Sequence, residues 1–279
     1  MTYIVRLLFV ALLLQVVTPP PGAWAQDRLK IGVAPHTSAR IILEMYQPLR
    51  QHLERVLQLP VDIITAPDFS VFARNALAGH YDLAVTTGHQ ARLLQSDAGY
   101  LPLVTYRADF KAVALVKVDG PIARPRDLAG RPVLGLSPTS QVTLWGKYWL
   151  ADNKIKTLPM RYVSASDSVA QLLIAGEAAT GFTSLANYQN LPADIRKQLR
   201  ILAQSSPMLG RVYMLNPARK ALREKLNVAL AGFATSQAGQ QYFSTYKLEG
   251  YRAVRQRELQ SMGRYAADVK KTLEHVSQP

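Results

Sequence analysis

Short apolar runs that alternate with helix-like segments constrain this chain more than any other feature. Three of these runs come early, at residues 29–34, 60–65 and 82–86, and a stretch with apolar residues at helical spacing follows each one. Strands that alternate with helices form parallel sheets covered by helices on both faces. The pattern therefore predicts an α/β fold, with a ligand site beyond the carboxyl ends of the strands.

Polar turns follow all three runs, at residues 35–38, 65–68 and 86–89. Asp68 is predicted to be the N-cap of the helix after the second turn. The first and third turns each contain a histidine, His36 and His89. A histidine at such a place either contacts a ligand or is simply solvated or part of a cap, and the sequence leaves both alternatives open.

A fourth polar turn, Ser137-Pro-Thr-Ser140, lies between an apolar run at 133–136 and a helical pattern that begins near Val142. A helix N-terminus has unpaired N–H groups and a partial positive charge, so it suits an anion. Serine and threonine are also ordinary N-caps. Spacing alone therefore leaves an anion site and a plain cap as alternatives.

The length and the pattern of the later chain predict two lobes. The chain has 279 residues, which is enough for one large or two medium domains. A second set of strand–helix units occupies residues 110–203. An apolar stripe at 258–276 predicts a C-terminal helix docked on the first lobe rather than a membrane-binding face.

The N-terminus has the features of a cleavable signal peptide. Arg6 precedes an apolar run at 7–17 that is too short to span a bilayer, and Ala23-Trp-Ala25 forms an A-x-A cleavage site. Residues 1–25 are therefore predicted to be removed, which predicts a periplasmic location. The chain has no cysteine, so no disulfide framework is predicted.

The composition limits the classes of partner and the kinds of chemistry that are expected for this chain. The formal net charge is +14, which suits anionic partners, but the basic residues are not clustered with aromatic ones, so nucleic acid is not expected. The five histidines are scattered without metal-ligand spacing, and no G-x-S-x-G motif occurs. No metal, cofactor or catalytic activity is therefore predicted.

A series of short motifs resembles a known family. The motifs occur in this order: Gly32-Val-Ala-Pro35, Pro48-Leu49, Thr65-Ala-Pro67, Leu77-Ala-Gly79, Tyr81-Asp-Leu-Ala84, Pro121-Ile122, Asp127-Leu-Ala-Gly130, Ser137-Pro-Thr-Ser140, Ser166-Asp-Ser-Val169 and Leu191-Pro-Ala-Asp194. Through this series the chain is similar to the solute-binding proteins of phosphate, phosphite and phosphonate ABC importers over roughly residues 29–235.

The resemblance implies a two-lobed, type II periplasmic-binding-protein fold, in which each lobe is a mostly parallel sheet flanked by helices. It implies that lobe 1 comprises residues 26–108 and 205–279, and that lobe 2 comprises 109–204. Two hinge crossings would join the lobes near 107–111 and 203–207. Closure of the lobes would bury a small anionic ligand, and an inner-membrane ABC permease would recognise the closed monomer.

The resemblance also implies the site. It places an anionic group of the ligand at the 137–140 turn of lobe 2 and places the lobe 1 turns opposite. The expected ligand contacts are Ser137, Thr139, Ser140, His36, Thr37, Ser38, Thr86, Thr87, His89 and Ser166. The chain departs from the family pattern at Ala165, where a histidine is common, and at 178–181, where an acidic residue that faces a ligand amine is missing. An aminophosphonate is therefore not expected.

These observations predict a periplasmic protein that captures a small phosphate-like or phosphonate-like oxyanion for an ABC importer and performs no chemistry on it. The departures in the ligand turns keep one alternative open. In that alternative the same fold senses a ligand or docks a partner for a membrane sensor kinase.

Overall fold

The computed structural model describes residues 28–163 and 166–276, so the predicted signal peptide lies outside the described residues. Strands and helices alternate through most of the described chain. The strands are β1 (Leu29–Val33), β2 (Val61–Ile64), β3 (Leu83–Thr87), β4 (Leu101–Tyr106), β5 (Ala112–Lys117), β6 (Val133–Gly135), β7 (Arg161–Tyr162), β8 (Thr180–Ser184), β9 (Leu199–Gln204), β10 (Arg211–Leu215) and β11 (Tyr251–Ala253).

Helices of very different length connect these strands, and two 3-10 helices, Pro125–Leu128 and Pro217–Leu222, accompany them. The α-helices are α1 (Ala39–Leu57), α2 (Phe69–Leu77), α3 (Gly88–Ala98), α4 (Gln141–Asp152), α5 (Ser166–Ile174), α6 (Leu185–Gln189), α7 (Ala193–Arg196), α8 (Arg223–Thr235), α9 (Gln237–Thr245), α10 (Gln256–Ser261) and α11 (Gly263–Val276).

The strands form two sheets, which confirms the predicted two-lobed α/β fold. The sheet of lobe 1 has the order β11-β4-β10-β3-β1-β2, and the sheet of lobe 2 has the order β7-β6-β8-β5-β9. The pairs among β1, β2 and β3 and among β6, β7 and β8 are parallel. The polar turns that follow these strands therefore lie at one edge of each sheet.

In each sheet most strands run in the same direction, as predicted, because β4 runs parallel to β3 and β9 runs parallel to β8. β10 pairs antiparallel with β3 and β4, and β5 pairs antiparallel with β8 and β9. The chain reaches β5 and β10 directly from the opposite lobe rather than through a covering helix, so these strands enter their sheets from the cleft edge. Each sheet is therefore mixed.

Two chain crossings connect the sheets, at residues 107–111 and 205–210. They run side by side: the N–H of Met208 donates to the carbonyl of Phe110 at 2.8 Å, and that of Ser205 donates to Ala112 at 2.9 Å. The Ser205 hydroxyl also accepts from the N–H of Ala112 at 2.9 Å. Paired crossings of this kind suit a hinge. The lobe boundaries at 108 and 204 stay predictions.

Local sequence explains where the helices at the cleft edge begin and end. The Asp68 carboxylate accepts from the N–H groups of Ser70 and Val71, at 2.7 and 2.8 Å, which confirms the predicted N-cap of α2. Gly79 follows α2 with φ of +77°, a conformation that favours glycine. The turns thus fix both the start and the end of α2.

The predicted C-terminal helix consists of two helices, α10 and α11, and its apolar stripe is buried in the core next to α3. The helix also reaches lobe 2, because the Tyr148 hydroxyl of α4 donates to the Asp268 carboxylate at 2.6 Å. Within the described part of the chain, no helix is both long and apolar enough to cross a membrane.

The core of lobe 2 next to α4 is aromatic. The rings of Trp145 and Trp149 stack with centroids 5.9 Å apart, and the fully buried Phe182 ring meets both of them edge-on. Gly146 lies against the same ring, since a Cβ there would be 2.5 Å from it. This packing fixes the position of α4 on the sheet.

We expect Phe182→Ala to lower the free energy of unfolding by about 3–5 kcal/mol, because it leaves a cavity beneath α4. Urea denaturation measures the change. Val228→Ala is the control, because the Val228 side chain is 69% exposed and its loss should cost no more than about 0.5 kcal/mol. Equal costs for the two variants would contradict the assigned core.

Candidate functional site

The start of α4 is held rigidly at the end of β6. Ser140 is the N-cap: its hydroxyl accepts from the N–H of Thr143 at 3.4 Å and donates to the Thr143 hydroxyl at 2.9 Å. The same Thr143 hydroxyl accepts from the N–H of Leu136 at 2.9 Å. A helix has no internal acceptors for its first N–H groups, so those of Gln141 and Val142 remain as donors.

Hydroxyl groups connect this helix start to lobe 1. The Thr139 hydroxyl lies 3.1 Å from that of Ser137 and 3.2 Å from that of Ser70 at the start of α2. Thr139 is fully buried, whereas Ser137 and Ser70 are half-buried. Sequence reasoning missed Ser70, although the predicted Asp68 cap marked its helix start.

His89 joins the starts of α3 and α4. The ring is fully buried, with Nε2 2.8 Å from the carbonyl oxygen of Thr139 and Nδ1 3.2 Å from Oε1 of Gln141. Gln141 also donates from Nε2 to the carbonyl of Leu209, at 3.1 Å, in the second crossing. The N-termini of α2, α3 and α4 therefore meet at the boundary between the lobes.

The start of α3 approaches the second crossing very closely. A Cβ on Gly88 would lie 2.5 Å from the carbonyl oxygen of Leu209, so only glycine fits there. The Thr86 hydroxyl donates to Oε1 of Gln90 at 2.8 Å, and Gln90 donates to the carbonyl of Phe69 at 3.0 Å. Thr86 thus orders α3 against α2, and its proton does not face the boundary between the lobes.

A guanidinium group, which sequence reasoning did not find, lies at the same edge of lobe 1. Arg211 begins β10, and its NH1 lies 2.7 Å from Nε2 of His36. The other ring nitrogen of His36, Nδ1, lies 2.9 Å from the carbonyl of Ala34. Nδ1 therefore carries the proton, and Nε2 accepts from Arg211. His36 is neutral and holds the guanidinium in place.

Buried tyrosines form the floor under Arg211. Its guanidinium carbon lies 5.1 Å from the centre of the Tyr106 ring. The Tyr106 hydroxyl contacts those of Tyr213 at 2.8 Å and Tyr242 at 2.6 Å. Burial raises the pKa of Tyr106 to about 12, so the phenol stays uncharged at neutral pH. These tyrosines therefore face the guanidinium with ring faces and hydroxyl dipoles, not with a negative charge that would neutralise it.

The remaining predicted contacts differ in what they can offer a ligand. Ser38 is exposed and caps α1 by accepting from the N–H of Ile41 at 3.4 Å. Thr37 is half-buried beside it, and Ser166 is half-buried at the start of α5. The Thr87 hydroxyl is buried and makes no hydrogen bond to any described residue. The structure therefore brings the 137–140 turn and His89 into contact and leaves Thr87 without a partner.

Within residues 28–163 and 166–276, no three histidine, cysteine, aspartate or glutamate side chains cluster closely enough to hold a metal ion.

Two α/β lobes, paired crossings and converging helix starts define a two-lobed solute-binding protein.

Comparison with protein families agrees with this class. The family described as "ABC transporter, phosphonate, periplasmic substrate-binding protein" matches residues 31–259. The match spans most of the chain, so the protein belongs to this family of periplasmic substrate-binding proteins. No curated protein sequence matches the chain.

Solved structures share the fold at low sequence identity. PhnD1 from Prochlorococcus marinus (MIT 9301), in complex with methylphosphonate, has 12% identity and a TM-score of 0.76 over 87% of this chain and 98% of its own. XAC2383 from Xanthomonas citri, bound to a chloride ion, has 18% identity and a TM-score of 0.74 over 88% and 99%. The aliphatic sulphonate binding protein SsuA from Escherichia coli has 16% identity and a TM-score of 0.59 over 89% and 91%.

Buried His89 should make stability depend on pH in the acid range. Burial lowers its pKa to about 4, although its contacts with Thr139 and Gln141 oppose the shift. Between about pH 6.5 and pH 4 the unfolded chain therefore binds more protons than the folded one, so stability falls as pH falls. We expect His89→Gln to flatten this dependence by up to about 1.4 kcal/mol per pH unit, as measured by urea denaturation.

The matched control is His80→Gln, which replaces a histidine at an exposed position. Unchanged pH dependence in the His89→Gln variant, or equal flattening in the control, would contradict the assignment to His89.

Proposed function

We propose that this protein binds a small oxyanion, of the phosphate or phosphonate type, between its lobes and presents it to an ABC permease. The observation that carries the proposal is the convergence of three helix N-termini, those of α2, α3 and α4. Ser70, His89 and Thr139 mark their meeting point. The starts of α3 and α4 are positive poles with free N–H donors, whereas the Asp68 carboxylate already caps α2, so the first two favour a negative ligand.

Donors from both lobes would share the ligand. In the proposal, Ser137 and Thr139 bind an anionic group through their hydroxyls, and the first N–H groups of α4, which the Ser140 cap holds in place, donate to the same group. Thr37, Thr87 and Ser166 are the other side chains available for contact. The ligand would take the place of the direct contact between Thr139 and Ser70, so binding would require the lobes to part and close again.

Like Ser140, four other predicted contacts would act by positioning rather than by touching the ligand. The polar side-chain groups of His36, Thr86 and His89 are already hydrogen-bonded to protein partners. Ser38 caps an exposed helix end. Both nitrogens of His89 face protein oxygen atoms rather than the proposed ligand. That arrangement supports binding without chemistry on the ligand.

The cellular setting follows from the family and from the N-terminus. A periplasmic substrate-binding protein meets its permease outside the cytoplasm, and the A-x-A motif at 23–25 is where we propose that the signal peptide is removed. We propose that the mature protein is a monomer, with 26–108 and 205–279 as lobe 1 and 109–204 as lobe 2.

Ser140→Ala should weaken binding of the tightest ligand in a panel of phosphate, phosphite, methylphosphonate and sulfate by about tenfold or more. The Ser140 hydroxyl fixes the start of α4 through Thr143, so its loss should misalign the N–H groups of Gln141 and Val142, and a hydrogen bond to a charged group is typically worth about 1.5–3 kcal/mol. Isothermal titration calorimetry measures the change in Kd.

The matched control is Ser236→Ala. Ser236 also caps a helix, α9, by accepting from the N–H of Gly239 at 3.0 Å, but it lies outside the converging turns. The Ser236→Ala variant should lose the stability that this cap contributes, but its affinity for the ligand should not change. No binding by the wild type to any member of the panel, or equal loss of affinity in both variants, would count against the proposed function.

A further inference from the structure

We propose that Arg211 and Thr87 form a second anion-binding subsite on lobe 1, so that the ligand of this protein carries two negatively charged groups. The inference rests on the proposed function, because it concerns the other end of the same ligand. One group would bind at the start of α4, and the second, a carboxylate or a similar planar anion, would bind at Arg211.

The first reason is that Arg211 has no acidic partner among the described residues. Its recorded contacts are Nε2 of His36 at 2.7 Å, the sulfur of Met45 at 3.9 Å and the face of Tyr106. None of these carries a negative charge: burial and the Arg211 charge lower the pKa of His36 to about 3. Burying part of a guanidinium without a counter-charge costs desolvation free energy, and a negatively charged group would offset that cost.

The second reason is that the guanidinium is fixed by a hydrogen bond but remains partly accessible to solvent. Arg211 is half-buried, so part of it remains accessible at the cleft edge. One of its terminal nitrogens, NH1, is fixed by His36. A guanidinium presents five N–H donors in a planar fork, so several remain for a partner, and that fork matches a carboxylate through two parallel hydrogen bonds.

The third reason is the orphaned hydroxyl of Thr87. This side chain is 7% exposed, and its oxygen has no hydrogen-bond partner among the described residues. Thr87 lies directly opposite Arg211 in the antiparallel pair of β3 and β10. Opposite residues project from the same face of a sheet, with Cβ atoms about 4.5–5.5 Å apart. The unused hydroxyl of Thr87 and the guanidinium of Arg211 thus belong to side chains that project from the same face of the sheet.

The start of α3 connects the two subsites. Thr87 is the N-cap of α3, and His89, two residues later, touches Thr139 of the 137–140 turn. In the proposal, the two anionic groups of one small ligand reach from the start of α4 to Arg211. A ligand whose far end is an ammonium group would meet a like charge there.

The test compares three phosphonates by isothermal titration calorimetry on the full mature chain. Phosphonoacetate has two anionic groups, methylphosphonate has one, and 2-aminoethylphosphonate has an ammonium group in place of the carboxylate. We expect phosphonoacetate to bind at least about tenfold more tightly than methylphosphonate, since a charge-assisted hydrogen bond is worth more than about 1.4 kcal/mol. 2-Aminoethylphosphonate should bind most weakly.

Arg211→Met should remove the preference for phosphonoacetate while changing the Kd for methylphosphonate less than about threefold. Thr87→Val, which keeps the shape of the side chain, should reduce the same preference in part, and it keeps the test valid if Arg211→Met does not fold. Arg264→Met is the matched control, because Arg264 also packs on tyrosine rings, those of Tyr148 and Tyr265, but on α11.

The outcomes separate the two proposals. Binding of methylphosphonate without any preference for phosphonoacetate, or a preference that persists in both Arg211→Met and Thr87→Val, overturns the second subsite and leaves the proposed function standing. Absence of binding for all three phosphonates, together with phosphate, phosphite and sulfate, overturns the proposed function itself.

Discussion

The structure depends on an electrostatic constraint at the boundary between the lobes, where helix N-termini and a guanidinium lie close together. The helix starts of α2, α3 and α4 meet around Thr139, and the Arg211 guanidinium lies at the same edge of lobe 1. The Asp68 carboxylate caps α2, but the first turns of α3 and α4 contain no acidic residue. Positive groups of this kind repel one another more strongly in a low-dielectric interior than in water. A bound anion would relieve this repulsion and would bring the lobes together in the same step.

The rest of the fold explains how these groups stay in place. Parallel strands deliver their turns to one edge of each sheet, and Gly88 lets α3 approach the second crossing without steric conflict. His36 fixes the guanidinium, the tyrosine floor supports it, and the Tyr148–Asp268 contact links α4 to the C-terminal helix. The two crossings run side by side and suit a hinge, through which the proposed closure would respond to a bound ligand.

Much of the fold and half of the site could be predicted from local sequence. Apolar runs and capping residues predicted β1 to β3 and the start of α2 because strand period and cap chemistry are local properties. The hydroxyl turn at 137–140 was found for the same reason. The sequence did not identify Arg211 or Ser70 as site residues, and it did not show that the Thr87 hydroxyl has no partner. These features depend on which strands pair and on how the lobes face each other. No local pattern encodes the register that sets Arg211 opposite Thr87.

The most direct test of the central claim is an amide ¹H–¹⁵N NMR titration of the mature protein with methylphosphonate and phosphonoacetate. The account predicts that the largest chemical-shift changes occur at the N–H groups of Gln141 and Val142, at the start of α4, and at Gly88 across the boundary. Both sets should saturate together, because one ligand contacts both lobes. Saturable changes confined to another surface, with these three amides unmoved, would contradict the account.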